Sequence, residues 1–273
     1  MKRIFAVLIV VLMTFTIVGC SKTNITDTAS KDSKEFDTSA YKNNDFLITP
    51  QGLSKLLKSK SVVLLDCNKP DMYAKEHIPG AVSIGIQAFS DKTGKPGDAN
   101  WGTILDKAKL KAALESLGID NTTTVVLYSD VFKGPGADGR ALWQLQQAGL
   151  TNVKLLVGGT TYWKELGYEV TTEATKATPK TGVVLKDYNL TNSASKDYVY
   201  TNLGKQVIID VRSKGEYEGS QNAGEPRGGH IKGAVNLLWT DLLNKNGTPK
   251  SSKEITDMMA ALGVKPGDTF VVY

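Results

Sequence analysis

The residue types best suited to nucleophilic or acid–base chemistry are scarce in this chain of 273 residues, which has two cysteines and two histidines. Cys67 directly follows an apolar run ending in Asp66, a position that favours a small buried residue over a reactive thiol. His77 and His230 each begin a glycine-containing turn, where an imidazole can hydrogen-bond nearby backbone groups. The sequence therefore predicts structural roles for these three residues.

Arg212 is the side chain best placed to bind an anion. It comes two residues after the apolar run 207–210 (VIID), at what would be the carboxyl end of a strand. A guanidinium there can clamp a dianion with two parallel hydrogen bonds. The alternative is an ion pair with Glu216 or Glu218. Arg227 is a weaker second candidate.

The elements that must position these residues occur twice in the same order, which indicates a tandem duplication. The spacing differs mainly by an insertion (GSQNAGEPRGG) before His230. The matching pairs are VVLLD 62–66 with VIID 207–210, HIPGAV 77–82 with HIKGAV 230–235, LGI 117–119 with LGV 262–264, and VVLY 125–128 with FVVY 270–273.

The short apolar runs lack polar alternation, which is typical of strands buried on both faces. Helical stretches separate them, so we predict an α/β fold in which each copy has a parallel sheet with helices on both faces. Copy one continues through a Gly-rich loop at 129–139, a helix from Arg140, a strand (VKLLVGG) and a helix at 161–166. Ligands of such sheets bind beyond the carboxyl ends of the strands. Function is therefore expected in loop 129–139 and in whatever follows Tyr273.

The first residues are typical of an export signal. Lys2 and Arg3 precede an apolar stretch too short to span a bilayer, and it ends in Ile-Val-Gly before Cys20. This resembles the lipobox of bacterial lipoproteins, which implies that Cys20 is lipidated and that the protein is anchored on the extracytoplasmic face of the cell membrane. An ordinary cleaved signal is the alternative.

Composition divides the rest of the chain. We predict a signal peptide at 1–19, a polar flexible tether at 20–45, domain 1 at 46–170, a linker at 171–182 and domain 2 at 183–273. The net charge of +5 is spread without a basic block, which argues against nucleic-acid binding. With Cys20 acylated, Cys67 is the one remaining thiol, which excludes an intramolecular disulfide and a cysteine-built metal site.

The strand ending in aspartate, the two HI-x-GAV turns, EPRGGHI in copy two and VGGTTYW in copy one resemble the tandem-domain rhodaneses, the thiosulfate sulfurtransferases. The resemblance covers about residues 46–273. It implies two rhodanese-like domains and sulfane-sulfur transfer from thiosulfate or a similar donor to a thiophilic acceptor through a cysteine persulfide. A thiolate at a helix N-terminus suits this chemistry.

In that family the first copy is usually inactive, and the second carries a cysteine directly after a strand like 270–273. Ser129 holds that position in copy one and is its degenerate equivalent, followed by Asp130, whose charge opposes an anionic substrate. Arg212 is the expected substrate-binding residue. Because a serine hydrolase would need a Gly-x-Ser-x-Gly context that Ser129 lacks, we expect copy one to be silent.

The last residues leave the second copy without counterparts of the loop, helix, strand and closing helix that follow Tyr128 in copy one. We therefore expect domain 2 to be truncated at Tyr273 and a cysteine to come next. Two other functions stay open: a non-catalytic rhodanese-like surface module that binds a small anion or a partner protein, and a phosphatase with a longer cysteine loop. None of these functions requires a metal or an organic cofactor.

Overall fold

The computed structural model describes residues 35–273, apart from 97, 99, 223 and 226. The predicted signal peptide, Cys20 and most of the predicted tether lie outside these described residues. Among the helices of the described part, none is both long enough and apolar enough to cross a membrane.

Copy one is built on a five-stranded parallel sheet with the strand order β1-β5-β4-β2-β3. The apolar runs of the sequence form the central strands, as predicted, and their side chains are alternately buried on the two faces of the sheet. The strands are β1 (Leu47–Ile48), β2 (Val62–Asp66), β3 (Ala81–Ser83), β4 (Thr124–Tyr128) and β5 (Val153–Leu156).

Helices cover both faces of this sheet, which confirms the predicted α/β architecture. They are α1 (Pro50–Ser59), α2 (Pro70–Lys75), α3 (Lys107–Ser116), α4 (Ala137–Gln147) and α5 (Gly159–Glu165). Leu110 of α3 and Leu145 of α4 belong to the core on one face. Leu53 of α1 and Trp163 of α5 belong to the core on the other. α4 begins before Arg140, the predicted start, so it extends further toward the end of β4.

Copy two repeats the centre of this plan with a three-stranded parallel sheet of order β7-β6-β8. Its strands are β6 (Ile208–Asp210), β7 (Val235–Asn236) and β8 (Val271–Val272), and its helices are α6 (Lys196–Thr201), α7 (Lys214–Glu218) and α8 (Ser252–Ala261). The neighbours of β6 correspond to the neighbours of β2 in copy one, so the sequence repeat is also a structural repeat. The carboxyl ends of β6 and β8 therefore lie side by side.

The last described residues of the predicted tether, from 35 to 45, contact both copies. Phe36 packs against a core of copy one, and a short 3-10 turn occupies Thr38–Ala40. The Tyr41 hydroxyl donates to the carbonyl oxygen of Lys250 in copy two at 2.7 Å. A few aromatic anchors suffice to hold a segment whose overall composition is polar.

The predicted linker is bound along copy one for its whole length. Thr171 forms an antiparallel bridge with His77, and the Lys180 amide donates to the Glu115 carbonyl oxygen at 2.9 Å. The first residues after the predicted boundary at 183 also pack on copy one. Val183 is buried in the copy-one core, and the Tyr188 hydroxyl donates to the Leu105 carbonyl oxygen. A polar segment can be fixed by backbone hydrogen bonds that composition does not reveal.

Candidate active site

Arg212 lies at the carboxyl end of β6, where its guanidinium grips the buried carboxylate of Asp210. Nε donates to Oδ1 at 3.0 Å and Nη2 donates to Oδ2 at 2.6 Å, while Nη2 also donates to the Gly229 carbonyl oxygen at 2.8 Å. Burial alone would raise the pKa of Asp210, but the hydrogen bonds and charge of Arg212 outweigh it and hold that pKa below its usual value. The Asp210–Arg212 pair, called the arginine mount below, therefore holds a cation at the carboxyl edge of the sheet.

The partner of Arg212 differs from the alternatives suggested by the sequence. Glu216 caps the first turn of α7 through Ser213, and Glu218 pairs with Lys214. The nearest other carboxylate is Glu225, whose Oε1 lies 4.0 Å from Arg212 Nη1, beyond hydrogen-bond distance. With 24% of its side chain exposed, Arg212 can present Nη1 to an anion while Asp210 fixes its other edge.

Two equivalent tyrosines tie the strand ends to the histidine turns. The Tyr273 hydroxyl accepts from the Ile231 amide at 2.9 Å, as the Tyr128 hydroxyl accepts from the Ile78 amide at 3.0 Å. The Arg212 guanidinium also lies over the Tyr273 ring, 5.4 Å from its centroid. The carboxyl end of β8 is thereby held directly beside Arg212.

In copy one a neutral side chain replaces the arginine. Asn68 stands where copy two has Arg212, and its Oδ1 accepts from the Asp130 amide at 2.7 Å. The Asp130 carboxylate accepts from the amides of Phe132 and Lys133 and is 3.1 Å from Lys133 Nζ. The Asp130 carboxylate, which was predicted to repel an anionic substrate, is thus hydrogen-bonded and neutralised within its own loop.

The carboxylate that lies beside Ser129 is Asp138, which sequence reasoning missed. It lies in the first turn of α4 with 5% exposure and accepts from the Gly139 amide at 3.1 Å. Burial raises the pKa of Asp138, while the hydroxyl of Ser129 and the amides of Gly139, Asp138 and Ser129 oppose the rise. An acidic residue just inside a helix start was the available signal.

Ser129 is 1% exposed, and its hydroxyl lies close enough to Asp138 to lower the pKa of that carboxyl. The contact falls short of a hydrogen bond, and the buried Oγ has no hydrogen-bond partner among the described residues. The Asp138 carboxylate therefore lies beside the amides of Ser129, Asp138 and Gly139, a set of donors that we call the cradle. The end of β4 in copy one therefore carries a hydroxyl at position 129, with a carboxylate beside it.

The two histidine rings contact backbone carbonyl oxygens of nearby turns, as predicted. His77 Nδ1 is 2.7 Å from the Tyr73 carbonyl oxygen and Nε2 is 3.0 Å from that of Glu173. His230 Nδ1 is 2.8 Å from the Tyr217 carbonyl oxygen. Each ring also stacks on the tyrosine that it contacts, at 3.7 and 3.8 Å between centroids.

Cys67 is 1% exposed, and burial raises the pKa of its thiol well above the usual value. This confirms the prediction of a small buried residue at a strand end. Trp163 is 1% exposed in the core, whereas Trp143 and Trp239 are only partly buried. The Trp239 ring instead lies against Gly136 of copy one, so it contributes to the contact between the copies.

Duplicated parallel sheets, with Arg212 beside one strand end and the Asp138 carboxylate beside the equivalent one, define a two-copy α/β protein. The Rhodanese-like domain family matches residues 49–166 and 195–273. The chain belongs to this family.

Its relatives carry names from sulfur chemistry. It is 31% identical over 248 residues to the "Sulfur carrier protein TtuD" of Thermus thermophilus, covering 85% of this chain and 83% of that protein. It is 29% identical over 229 residues to the "Thiosulfate sulfurtransferase" of Azotobacter vinelandii, with 83% and 81% covered. The crystal structure of SseA from Escherichia coli, titled for the rhodanese fold of 3-mercaptopyruvate sulfotransferases, has a TM-score of 0.67 at 23% identity, with 83% and 87% covered. The chain covers 59% and 61% of two longer solved structures.

Proposed function

We propose that this protein is a sulfurtransferase that moves a sulfane sulfur from thiosulfate, or a similar anionic donor, to a thiophilic acceptor. The family and the names of its relatives support sulfur transfer in general. The observation that carries the proposal is the Asp210–Arg212 mount beside the end of β8. It supplies a fixed guanidinium edge for a dianion at the edge of the sheet where α/β proteins bind ligands.

The proposed nucleophile is a cysteine that follows Tyr273 in the complete protein, at the position that Ser129 holds in copy one. Its thiolate would attack the outer sulfur of thiosulfate; the sulfur–sulfur bond of the donor breaks, and sulfite leaves with the bonding electron pair. The outer sulfur of the resulting persulfide then passes to a nucleophilic acceptor, which regenerates the thiolate. Arg212 would offset the charge of the donor and orient it.

The proposal places the protein on the extracytoplasmic face of the cell membrane, anchored through lipidated Cys20. Mass analysis of the N-terminal peptide from the native membrane fraction tests this. A diacylated peptide starting at Cys20 is expected, and a soluble product with an unmodified N-terminus contradicts the anchor.

The activity is tested on the full-length protein with thiosulfate as donor and cyanide as acceptor. We expect thiocyanate formation that is abolished by serine in place of the cysteine after Tyr273. Arg212→Lys keeps the charge but loses the two-pronged geometry, and we expect it to raise the KM for thiosulfate. Thiosulfate binding without any transfer would contradict the enzyme and favour the anion-binding module.

A further inference from the structure

A turn of the same pattern, x-Lys-x-Gly-x-Pro, recurs in both copies. It reads DKTGKP at 91–96 and NKNGTP at 244–249, at the same separation as His77 and His230. Gly94 and Gly247 both have a positive φ, of 90° and 82°. The turns are therefore equivalent in register and in backbone shape.

The copy-two turn shows what this element does, because it docks on the carboxyl edge of copy one. A Cβ added to Gly247 would lie 2.7 Å from Val131 Cγ2 and 3.0 Å from the Gly158 carbonyl oxygen. Asn246 Nδ2 donates to Glu165 Oε1 at 3.2 Å. The turn thus covers the loops that follow β4 and β5, which include the silent site.

The copy-one turn reaches the corresponding edge of copy two. Pro96 touches Gly224, where an added Cβ would lie 3.0 Å from the proline Cβ. Gly224 directly precedes Glu225, the residue whose carboxylate faces Nη1 of Arg212. The turn therefore reaches the arginine mount through the contact of Pro96 with Gly224 and through the next residue, Glu225.

The segments in which the two copies differ in length lie next to this contact. In copy two only Lys250 separates Pro249 from Ser251, the N-cap of α8, whereas copy one inserts residues 97–105 between Pro96 and the N-cap of α3. Copy two in turn carries its own insertion at 219–229. The two insertions meet at the contact between Pro96 and Gly224. Both copies are therefore longer beside the carboxyl ends of the copy-two strands, and neither is longer beside those of copy one.

The residue between the glycine and the proline differs in charge. Thr248 is 4% exposed in the docked turn, whereas Lys95 is exposed. The Lys95 amide donates to Asp98 Oδ2 at 3.0 Å, and within the described part of the chain no ion pair engages its ammonium. Lys92 and Lys245 are shared by both turns and so do not distinguish them.

We propose that the turn 91–96 of copy one forms part of the donor site of copy two, where Lys95 is a second cationic contact for a dianionic sulfur donor beside Arg212. This specificity role rests on the proposed sulfur transfer. Lysine has a flexible side chain, whereas the guanidinium of Arg212 is held by Asp210. The Lys95 ammonium can therefore stay in contact with the donor as it enters the site and with the anionic product as it leaves.

The kinetic test compares Lys95→Thr, which introduces the residue of the equivalent turn, with the matched control Lys245→Thr in the full-length protein. We expect Lys95→Thr to raise the KM for thiosulfate about 5-fold, the effect of losing one partly exposed charge contact, with kcat changed less than about 2-fold. The control should retain the wild-type constants. A wild-type KM in Lys95→Thr overturns the role of Lys95.

A second readout does not depend on activity. With Pro96→Cys and Glu225→Cys, a short bis-maleimide should join the two residues, as identified by peptide mass, whereas Pro249→Cys with Glu225→Cys should give no such product. Lack of the first cross-link overturns the placement of the turn. An inactive wild-type protein would refute the proposed function, whereas an active one with an unaffected Lys95→Thr variant refutes only this inference.

Discussion

Removing the Arg212 side chain should destabilise the protein in a pH-dependent way. In Arg212→Ala the fully buried Asp210 carboxylate loses both hydrogen bonds and its counter-charge. Breaking a buried pair of this kind costs about 3 kcal/mol at pH 7, toward the lower end of the usual range because Arg212 is partly exposed. Copy one shows which way the pKa of such an aspartate moves without an arginine. There Asp66 has Asn68 in place of the arginine, and burial raises the pKa of the Asp66 carboxyl.

The sign of the pH effect follows from these shifts. The pKa of Asp210 is lowered in the folded wild-type protein, so its contribution to stability is present above the unfolded pKa and is lost as the pH falls through the folded pKa. In the variant that pKa should be raised by burial, so protonation relieves the penalty. The difference between variant and wild type should therefore shrink below about 1 kcal/mol at pH 4, near the unfolded pKa of about 3.9.

Urea unfolding at pH 7 and pH 4 measures this difference. Asn68→Ala is the matched control in copy one, because it removes a hydrogen bond to the Asp130 amide and a neutral dipole near Asp66. It should cost about 1 kcal/mol and change less between the two pH values than Arg212→Ala does, because no charge is removed. The reasoning would be refuted by an Arg212→Ala variant that loses as much stability at pH 4 as at pH 7, or that loses none at pH 7.

Three further predictions concern the silent copy and the contact between copies. Ser129→Cys alone should form no persulfide with thiosulfate, because the Asp138 carboxylate lies in the cradle. The double variant Ser129→Cys with Asp138→Ser should gain one sulfur atom, measured by mass. An equal gain in both variants would contradict the role of Asp138. Gly247→Val should drive a side chain into Val131 at a positive φ and lower the unfolding free energy by about 2 kcal/mol, measured by urea unfolding; an unchanged midpoint would contradict the close contact. Cys67 should resist iodoacetamide until the protein unfolds, and rapid labelling of the native state would contradict its burial.

Local patterns in the sequence predicted the repeated architecture well. The strand VVLLD became β2 with its predicted bounds, and the parallel sheets with helices on both faces followed from apolar runs without alternation. The order of motifs in the two copies also placed Tyr128 and Tyr273 at equivalent strand ends. These features depend on neighbours along the chain, which is why periodicity reveals them.

The parts that escaped prediction depend on contacts between distant segments. Arg212 was expected to bind substrate, with an ion pair to Glu216 or Glu218 as the alternative. Its guanidinium in fact pairs with the buried carboxylate of Asp210, a partner that the sequence did not suggest. Asp138 gave only the weak signal of an acid at a helix start, and its role appears once α4 is seen to begin beside Ser129. The docking of Gly247 on copy one joins residues far apart in sequence, for which no single segment carries a pattern.

The central claim is that copy two carries the sulfur-transfer site and that its nucleophile follows β8. The most direct test is to incubate the full-length protein with thiosulfate, remove excess donor and map the peptides by mass without reduction. The account predicts one added sulfur atom on the cysteine of the peptide that continues from Tyr273. No added sulfur, or sulfur found on Cys67 instead, would contradict it.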